Sequence, residues 1–363
     1  MRARRLLAGL SVLTTFGLMA AACGDDSDSK GSDTPSAAAD PCKATTTGKT
    51  GEGKKVGLLF DVTGRGDKSF NDSAACGLDK AKGEFGITGN ESTPTAADGS
   101  DRPERLKNLV TQGNGLVIGV GFLWADALGK GAKDNASTSF AIVDDSSITA
   151  PNVSSLVFAE EQGSYLVGVA AALKSKSGKI GFIGGVQNDL IKKFEAGFVA
   201  GVKATKSSAT VDVKYITQPP DFSGFNDPAK GKAIAKAMYD SGIDTVYHAA
   251  GGSGKGLFEA AKETGKKAGD VWAIGVDSDQ ALTASADTAP FILTSMLKRV
   301  DVAVYETIKD YVGGAFKAGT RVFDLKVDGV GYATTGGHLD DIKDKLEAAK
   351  ADIISGKITV PAK

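Results

Sequence analysis

The chain has little of what metal and catalytic sites are usually built from. His248 and His338 are its two histidines and stand far apart, and Cys23, Cys42 and Cys76 follow no metal-ligand spacing. Neither a metal centre nor side-chain catalysis finds support there, and no cofactor motif is expected. No sign of charge dominates, with 43 Lys+Arg against 44 Asp+Glu. Without residues 1–22, which hold three arginines and no acid, the count is 40 against 44, or −4, which argues against a nucleic-acid partner. Collagen, coiled-coil and short-period repeats are absent too, and 363 residues of ordinary composition suffice for one large core or two moderate ones.

What is present begins at the N-terminus. Arg2, Arg4 and Arg5 precede an apolar stretch over 6–22, too short and wrongly flanked for a membrane span. Residues 1–22 therefore read as a secretory signal peptide. Leu18-Met19-Ala20-Ala21-Ala22-Cys23 resembles a bacterial lipobox, which implies that Cys23 is lipidated and holds the chain on the extracytoplasmic face of the cell membrane, with the lipid as its sole membrane anchor. Residues 23–53 are rich in Asp, Ser, Thr, Ala and Gly and nearly devoid of large apolar side chains, as in a flexible tether. Cys42 and Cys76 remain in an exported chain, either joined in a disulfide or as two free thiols.

From residue 54 short apolar runs alternate with helical spacing. Runs at 56–60, 116–120, 140–143 and 156–158 separate helical stretches at 73–84, 102–112, 124–135 and 161–174. The pattern restarts with strands at 179–183, 211–215, 245–248, 271–276 and 291–297, and helices at 191–204, 228–241 and 255–264. Such alternation predicts an α/β protein with two lobes, each a parallel sheet flanked by helices, and a ligand cleft between them. The expected divisions are 54–158 for the first lobe, 159–297 for the second, 298–318 for a return to the first, and 319–363 for crossover strands and a C-terminal helix. The 47 glycines suit many tight strand-to-helix turns.

The turn after the first strand, Asp61-Val62-Thr63-Gly64-Arg65-Gly66-Asp67-Lys68-Ser69-Phe70-Asn71, sits where open α/β folds bind ligands. Asp61 and Asn71 offer polar edges and Phe70 an apolar face, a set suited to a planar heterocycle. The same residues also suit a solvated turn whose Phe70 plugs the core.

Asp-x-x-Gly followed by Asp67-Lys68-Ser69-Phe70-Asn71 resembles the ligand loop of the basic membrane protein family, lipoprotein receptors of ABC transporters that take up purine nucleosides. Five later segments extend the likeness: 140–144, 158–168, 179–185 with 193–198, 249–256, and 274–280 with 294–299. The resemblance implies a type I periplasmic-binding-protein fold and a monomeric receptor that hands a purine nucleoside to an ABC permease. Carried over by position, Phe70 and Phe194 sandwich the base, while Asp61, Asn71 and Asp144 read its edges. Asp277 and Lys298, with backbone amides near Gly251 and Gly252, hold the ribose. The stretch Gln187-Asn188-Asp189 departs from the family pattern.

Without the resemblance, Phe194 reads as an ordinary core residue at helical spacing, Asp277 as a helix cap, Lys298 as a solvated strand end and Asp144 as part of a turn. The glycine run 251–256 is no Walker motif, since Ala249 and Gly256 replace the required glycine and hydroxyl residue. A receptor for another small molecule such as riboflavin, a surface sensor and a nucleoside hydrolase remain as alternatives. Against the hydrolase, that class normally shows an aspartate cluster near its N-terminus, whereas here Asp61 and Asp67 are separated by a glycine turn without the rest.

Overall fold

The computed structural model describes residues 42–96 and 98–363. The signal peptide, Cys23 and the tether up to residue 41 lie outside the described residues.

Apolar runs bounded by glycine turns form the strands. In chain order the first lobe holds β1 (Lys55–Leu59), α1 (Phe70–Phe85), β2 (Thr88–Ser92), α2 (Arg102–Thr111), β3 (Leu116–Gly119), α3 (Ala125–Asp134), β4 (Ser139–Val143) and β5 (Val153–Phe158). The second holds α4 (Glu160–Lys174), β6 (Lys179–Val186), α5 (Asp189–Thr205), β7 (Thr210–Thr217), α6 (Pro228–Asp240), β8 (Thr245–Ala249), α7 (Lys255–Glu263), β9 (Trp272–Asp277) and β10 (Ile292–Lys298). After them come α8 (Val300–Val312), β11 (Gly319–Phe323), β12 (Val330–Tyr332) and α9 (Lys343–Ile354).

Two six-stranded sheets result, ordered β11-β5-β4-β3-β1-β2 and β12-β10-β9-β8-β6-β7. Each pairing is parallel except β10 with β12. Central strands such as β3 and β9 are buried along their whole length, as a sheet covered on both faces requires. The chain passes between lobes after β5, after β10 and after β11. On the second passage α8 returns to α1, where the Asp301 amide donates to Ser73 Oγ at 3.1 Å. A Cβ on Gly77 would lie 2.3 Å from the Asp301 carbonyl oxygen, so this approach requires glycine. Phe158 and Phe323, at the first and third passages, stack with centroids 5.2 Å apart, and the Ala159 amide donates to the Phe323 carbonyl. The crossing strands are thereby packed side by side at the hinge.

Two features differ from the sequence expectation. Strand β2 reads Thr-Gly-Asn-Glu-Ser and carries no apolar pattern, because it is an edge strand held by backbone pairing to β1. Residues 42–53, expected as the end of the tether, lie instead against α1. The Gly51 amide donates to the Phe85 carbonyl at 2.8 Å, and Cys42 is disulfide-bonded to Cys76 on α1. This segment packs through backbone and a covalent link, which leave no hydrophobic signature.

The disulfide spans a separation of 34 residues, for which loop-closure entropy gives about 3–4 kcal/mol. Replacing both Cys42 and Cys76 with serine should lower the free energy of urea unfolding by about 2–4 kcal/mol. An unchanged unfolding midpoint would show that the link restrains little in the unfolded chain.

Candidate functional site

The carboxyl edges of both parallel sheets face one cavity. Asp61 follows β1, Asp144 follows β4, Gly251 and Gly252 follow β8, and Asp277 and Lys298 end β9 and β10. Phe70 and Asn71 open α1, and Phe194 comes from the second turn of α5. All nine predicted ligand residues line this cavity, whose atom-free space is about 600 Å3 with its mouth included.

Local backbone geometry aims these groups. Asp144 and Asp277 have φ of 68° and 65°, a left-handed conformation that aspartate tolerates better than most residues. One such turn in each lobe swings a carboxylate off its strand end toward the cavity. Gly121, at φ 98°, lies so close that a Cβ there would meet Asp61 Oδ2 at 2.8 Å and the Phe70 ring at 3.5 Å. The 61–71 loop is held by Asp67, which accepts from the amides of Ser69, Asn71 and Asp72. These are amides at the start of α1 that have no partner within the helix.

Asn71 has work inside the loop as well as a place in the cavity lining. Its Oδ1 accepts from the Asp61 amide at 2.8 Å, and its Nδ2 donates to Thr63 Oγ1 and Asp67 Oδ2. Both of its N–H groups are therefore spent inside the loop, and its evident work is to fix Asp61. Phe122, Leu190 and Phe225 also line the cavity and were missed in the sequence. Phe122 stands just beyond β3, a strand-end position that could have marked it, whereas Phe225 lies in a loop with no such register.

Polar contacts join the lobes at the cavity. Lys298 Nζ lies 2.7 Å from both carboxylate oxygens of Asp144 and 3.2 Å from Glu160 Oε1. Its charge also sits 5.0–5.5 Å from the ring centroids of Phe70, Phe158 and Phe194. Asp277 Oδ2 accepts from Ser69 Oγ at 2.5 Å, Ser278 Oγ donates to the Ser69 carbonyl, and Gln280 Nε2 donates to the Lys68 carbonyl. Gln280 Oε1 accepts from the Val276 amide and faces His248 Nε2, which must then be the donor. Burial pulls His248 down to about 4, so it is a neutral core residue. Among the described residues no cluster of His, Cys, Asp or Glu is arranged to hold a metal, and no helix is long and apolar enough to cross a membrane.

The cavity carries more buried carboxylate than cation. Burial pushes Asp61 up to about 6, against the pull of Arg102. It pushes Asp144 up to about 6 despite Lys298, with Glu160 adding to the rise. Asp277 goes up to about 7, again by burial and against Lys298 and the Ser69 hydroxyl. Burial would lower Lys298, but Asp144, Glu160 and Asp277 outweigh it and hold the lysine above its ordinary range. Between the ordinary carboxyl value near 3.8 and about 7 these three carboxyls hold more protons in the folded protein than in the unfolded chain. Their contribution to the stability of the protein freed of small molecules should therefore fall as pH rises from about 4 to about 7, while His248, kept neutral by burial, contributes an opposite slope. Asp277→Asn should flatten the carboxyl slope in thermal unfolding; an identical slope in the variant would place the titration elsewhere.

Comparison with known proteins fits this architecture. Residues 54–363 match the family model described as Bmp, ABC transporter substrate-binding protein PnrA-like. The chain is 40% identical over 333 residues to the ABC transporter nucleoside-binding protein BmpA of Lactococcus lactis subsp. cremoris, covering 88% of this chain and 92% of that protein. It is 33% identical over 328 residues to basic membrane protein D of Borreliella burgdorferi, covering 88% and 91%. A solved ABC transporter solute-binding protein from Aeropyrum pernix K1 superposes with a TM-score of 0.73 at 29% identity, covering 85% and 94%. The two lobes form the type I periplasmic-binding-protein fold, and the chain belongs to the basic membrane protein family of ABC transporter substrate-binding proteins, not to an enzyme family.

Proposed function

We propose that this receptor binds purine nucleosides in the interlobe cavity and delivers them to an ABC permease. The carrying observation is that Phe70 from the first lobe and Phe194 from the second line the same cavity as the strand-end carboxylates. Two aromatic faces hold a planar base without demanding charge, worth about 0.5–1.5 kcal/mol per ring beyond the buried area. Asp61 and Asp144 take the base edge, with Asn71 fixing Asp61. Asp277 accepts from the vicinal ribose hydroxyls. Lys298 has three N–H donors; one goes to Asp144, with Glu160 alongside as an ion pair at 3.2 Å, and a further donor can serve a sugar oxygen. Amides at the start of the 3-10 turn Gly251–Gly254 supply further donors. The nucleoside-binding name of the Lactococcus relative supports the same reading.

The membrane assignment belongs to this proposal. Cys23 carries the lipid, the signal peptide ends at residue 22, and the tether spans 23–41 before the chain is secured at Cys42. The receptor works as a monomer on the extracytoplasmic face. In cells, Cys23→Ala should move the protein out of the membrane fraction; full retention in that fraction would sink the lipid anchor.

Calorimetry with adenosine, guanosine, inosine, cytidine, uridine and free bases tests the ligand. Purine nucleosides should bind tightly and be recovered intact by chromatography. Phe70→Ala and Phe194→Ala should each weaken binding at least tenfold, about 1.4 kcal/mol. A folded protein that binds none of the panel overturns the reading, and recovery of free base would turn it toward a hydrolase.

A further inference from the structure

Behind the cavity wall lies a charged residue that the proposed ligand contacts do not use. Arg102, the first residue of α2, is buried, and its Nη2 stands 3.8 Å from Asp61 Oδ1. Its guanidinium lies over the Trp124 ring at 5.7 Å and packs against Gly99. Arg102 is absent from the cavity lining, whereas Asp61 is part of it. Asp61 Oδ1 is buried and takes no hydrogen bond from any described residue, because the guanidinium is close enough for charge attraction but too far to donate. A buried acceptor in that condition costs about 1–3 kcal/mol.

We infer that Arg102 and Asp61 form a charge-setting pair that decides between 6-oxopurine and 6-aminopurine nucleosides, an inference that rests on the purine-nucleoside reading. An ionised carboxylate only accepts hydrogen bonds. It matches the N1–H edge of guanosine or inosine and repels the N1 lone pair of adenosine. A neutral carboxyl both donates and accepts, and so matches the adjacent N1 acceptor and N6 donor of adenosine. The proton on Asp61 therefore decides which base edge fits. Three charged groups face it: Arg102 from α2, Asp144 beyond β4 and Asp67 from its own loop. Arg102 favours the ionised form, while burial and the two acids favour the neutral one, leaving Asp61 up at about 6. Arg102 acts through Asp61 and is a positioning residue.

The test is the pH dependence of relative affinity, measured by calorimetry on the intact protein between pH 5 and 8, where both free nucleosides stay uncharged. Ribose contacts are common to guanosine and adenosine and cancel in the ratio. Guanosine affinity should rise with pH and level off above about 6, while adenosine affinity falls, so the ratio should grow at least about tenfold over the range. Arg102→Gln should move both profiles to higher pH and lower the ratio at any one pH, and Arg102→Lys should restore part of it. Asp144 shares the base edge and is also up at about 6, so Asp61→Asn should reduce the pH dependence of the ratio and the double variant Asp61→Asn, Asp144→Asn should abolish it. If Arg102→Gln does not fold, the wild-type, Asp61→Asn and double-variant profiles decide alone. A wild-type ratio constant with pH, or a slope unchanged in Asp61→Asn, overturns the pair while leaving nucleoside binding intact. Failure of every purine nucleoside to bind overturns the underlying reading and the inference with it.

Discussion

The site depends on one buried cation. Lys298 ends the last parallel strand of the second lobe, yet its nearest partner, Asp144, belongs to the first. Removing a lysine from water costs several kcal/mol, and two carboxylates within 3.2 Å return that cost only because both are themselves desolvated. Glu160 extends the chain of charge to Lys193 Nζ at 3.4 Å. Removing the lysine would leave two carboxylates facing each other in an apolar ring of phenylalanines. An apolar residue in its place would pack well there but would leave the lobes with no charged reason to meet.

How much of this could be read from the chain follows from what each element buries. The covered strands β1, β3, β4, β8 and β9 are mostly apolar, so their runs and their carboxyl ends are visible in sequence, and Asp61, Asp144 and Asp277 are found as polar residues at the ends of β1, β4 and β9. Strand β2 and the 42–53 segment bury backbone rather than side chains, and no hydrophobic period betrays them. Asn71 was seen as a cavity residue, but its hydrogen bonds to Asp61, Thr63 and Asp67 depend on how the loop folds back on itself. Arg102 is harder still. As the first residue of an exposed-looking helix, Arg-Pro-Glu-Arg, it reads as a solvated charge, and only the fold puts it behind Asp61.

Phe194 illustrates the opposite difficulty. At 3% exposure it satisfies every criterion of an ordinary core residue, which is how its helical spacing reads. It is buried because the lobes meet over it, and a site that closes around a ligand necessarily hides its best contacts among core residues. Burial alone does not separate the two readings, and the ligand role of Phe194 belongs to the proposed binding mode.

Closure and recognition share the same groups. Ser69 already holds Asp277, Gln280 holds the Lys68 carbonyl, and Lys298 holds Asp144, all across the lobe boundary. These contacts favour the closed form whether or not anything is enclosed. A ligand can shift that balance only through contacts it makes better in one form than in the other. In the proposed binding mode, Asp61 and Phe70 sit on one lobe and can be met before closure, so they add affinity without discriminating between forms. The discriminating contacts in that mode are Phe194, Gly251, Gly252 and Asp277, which reach a first-lobe ligand only once the second lobe arrives. Turning a population from 1:99 to 99:1 takes about 5.5 kcal/mol of differential binding. The cross-lobe hydrogen bonds reduce what those second-lobe residues must supply, because they favour the closed form before any ligand is enclosed.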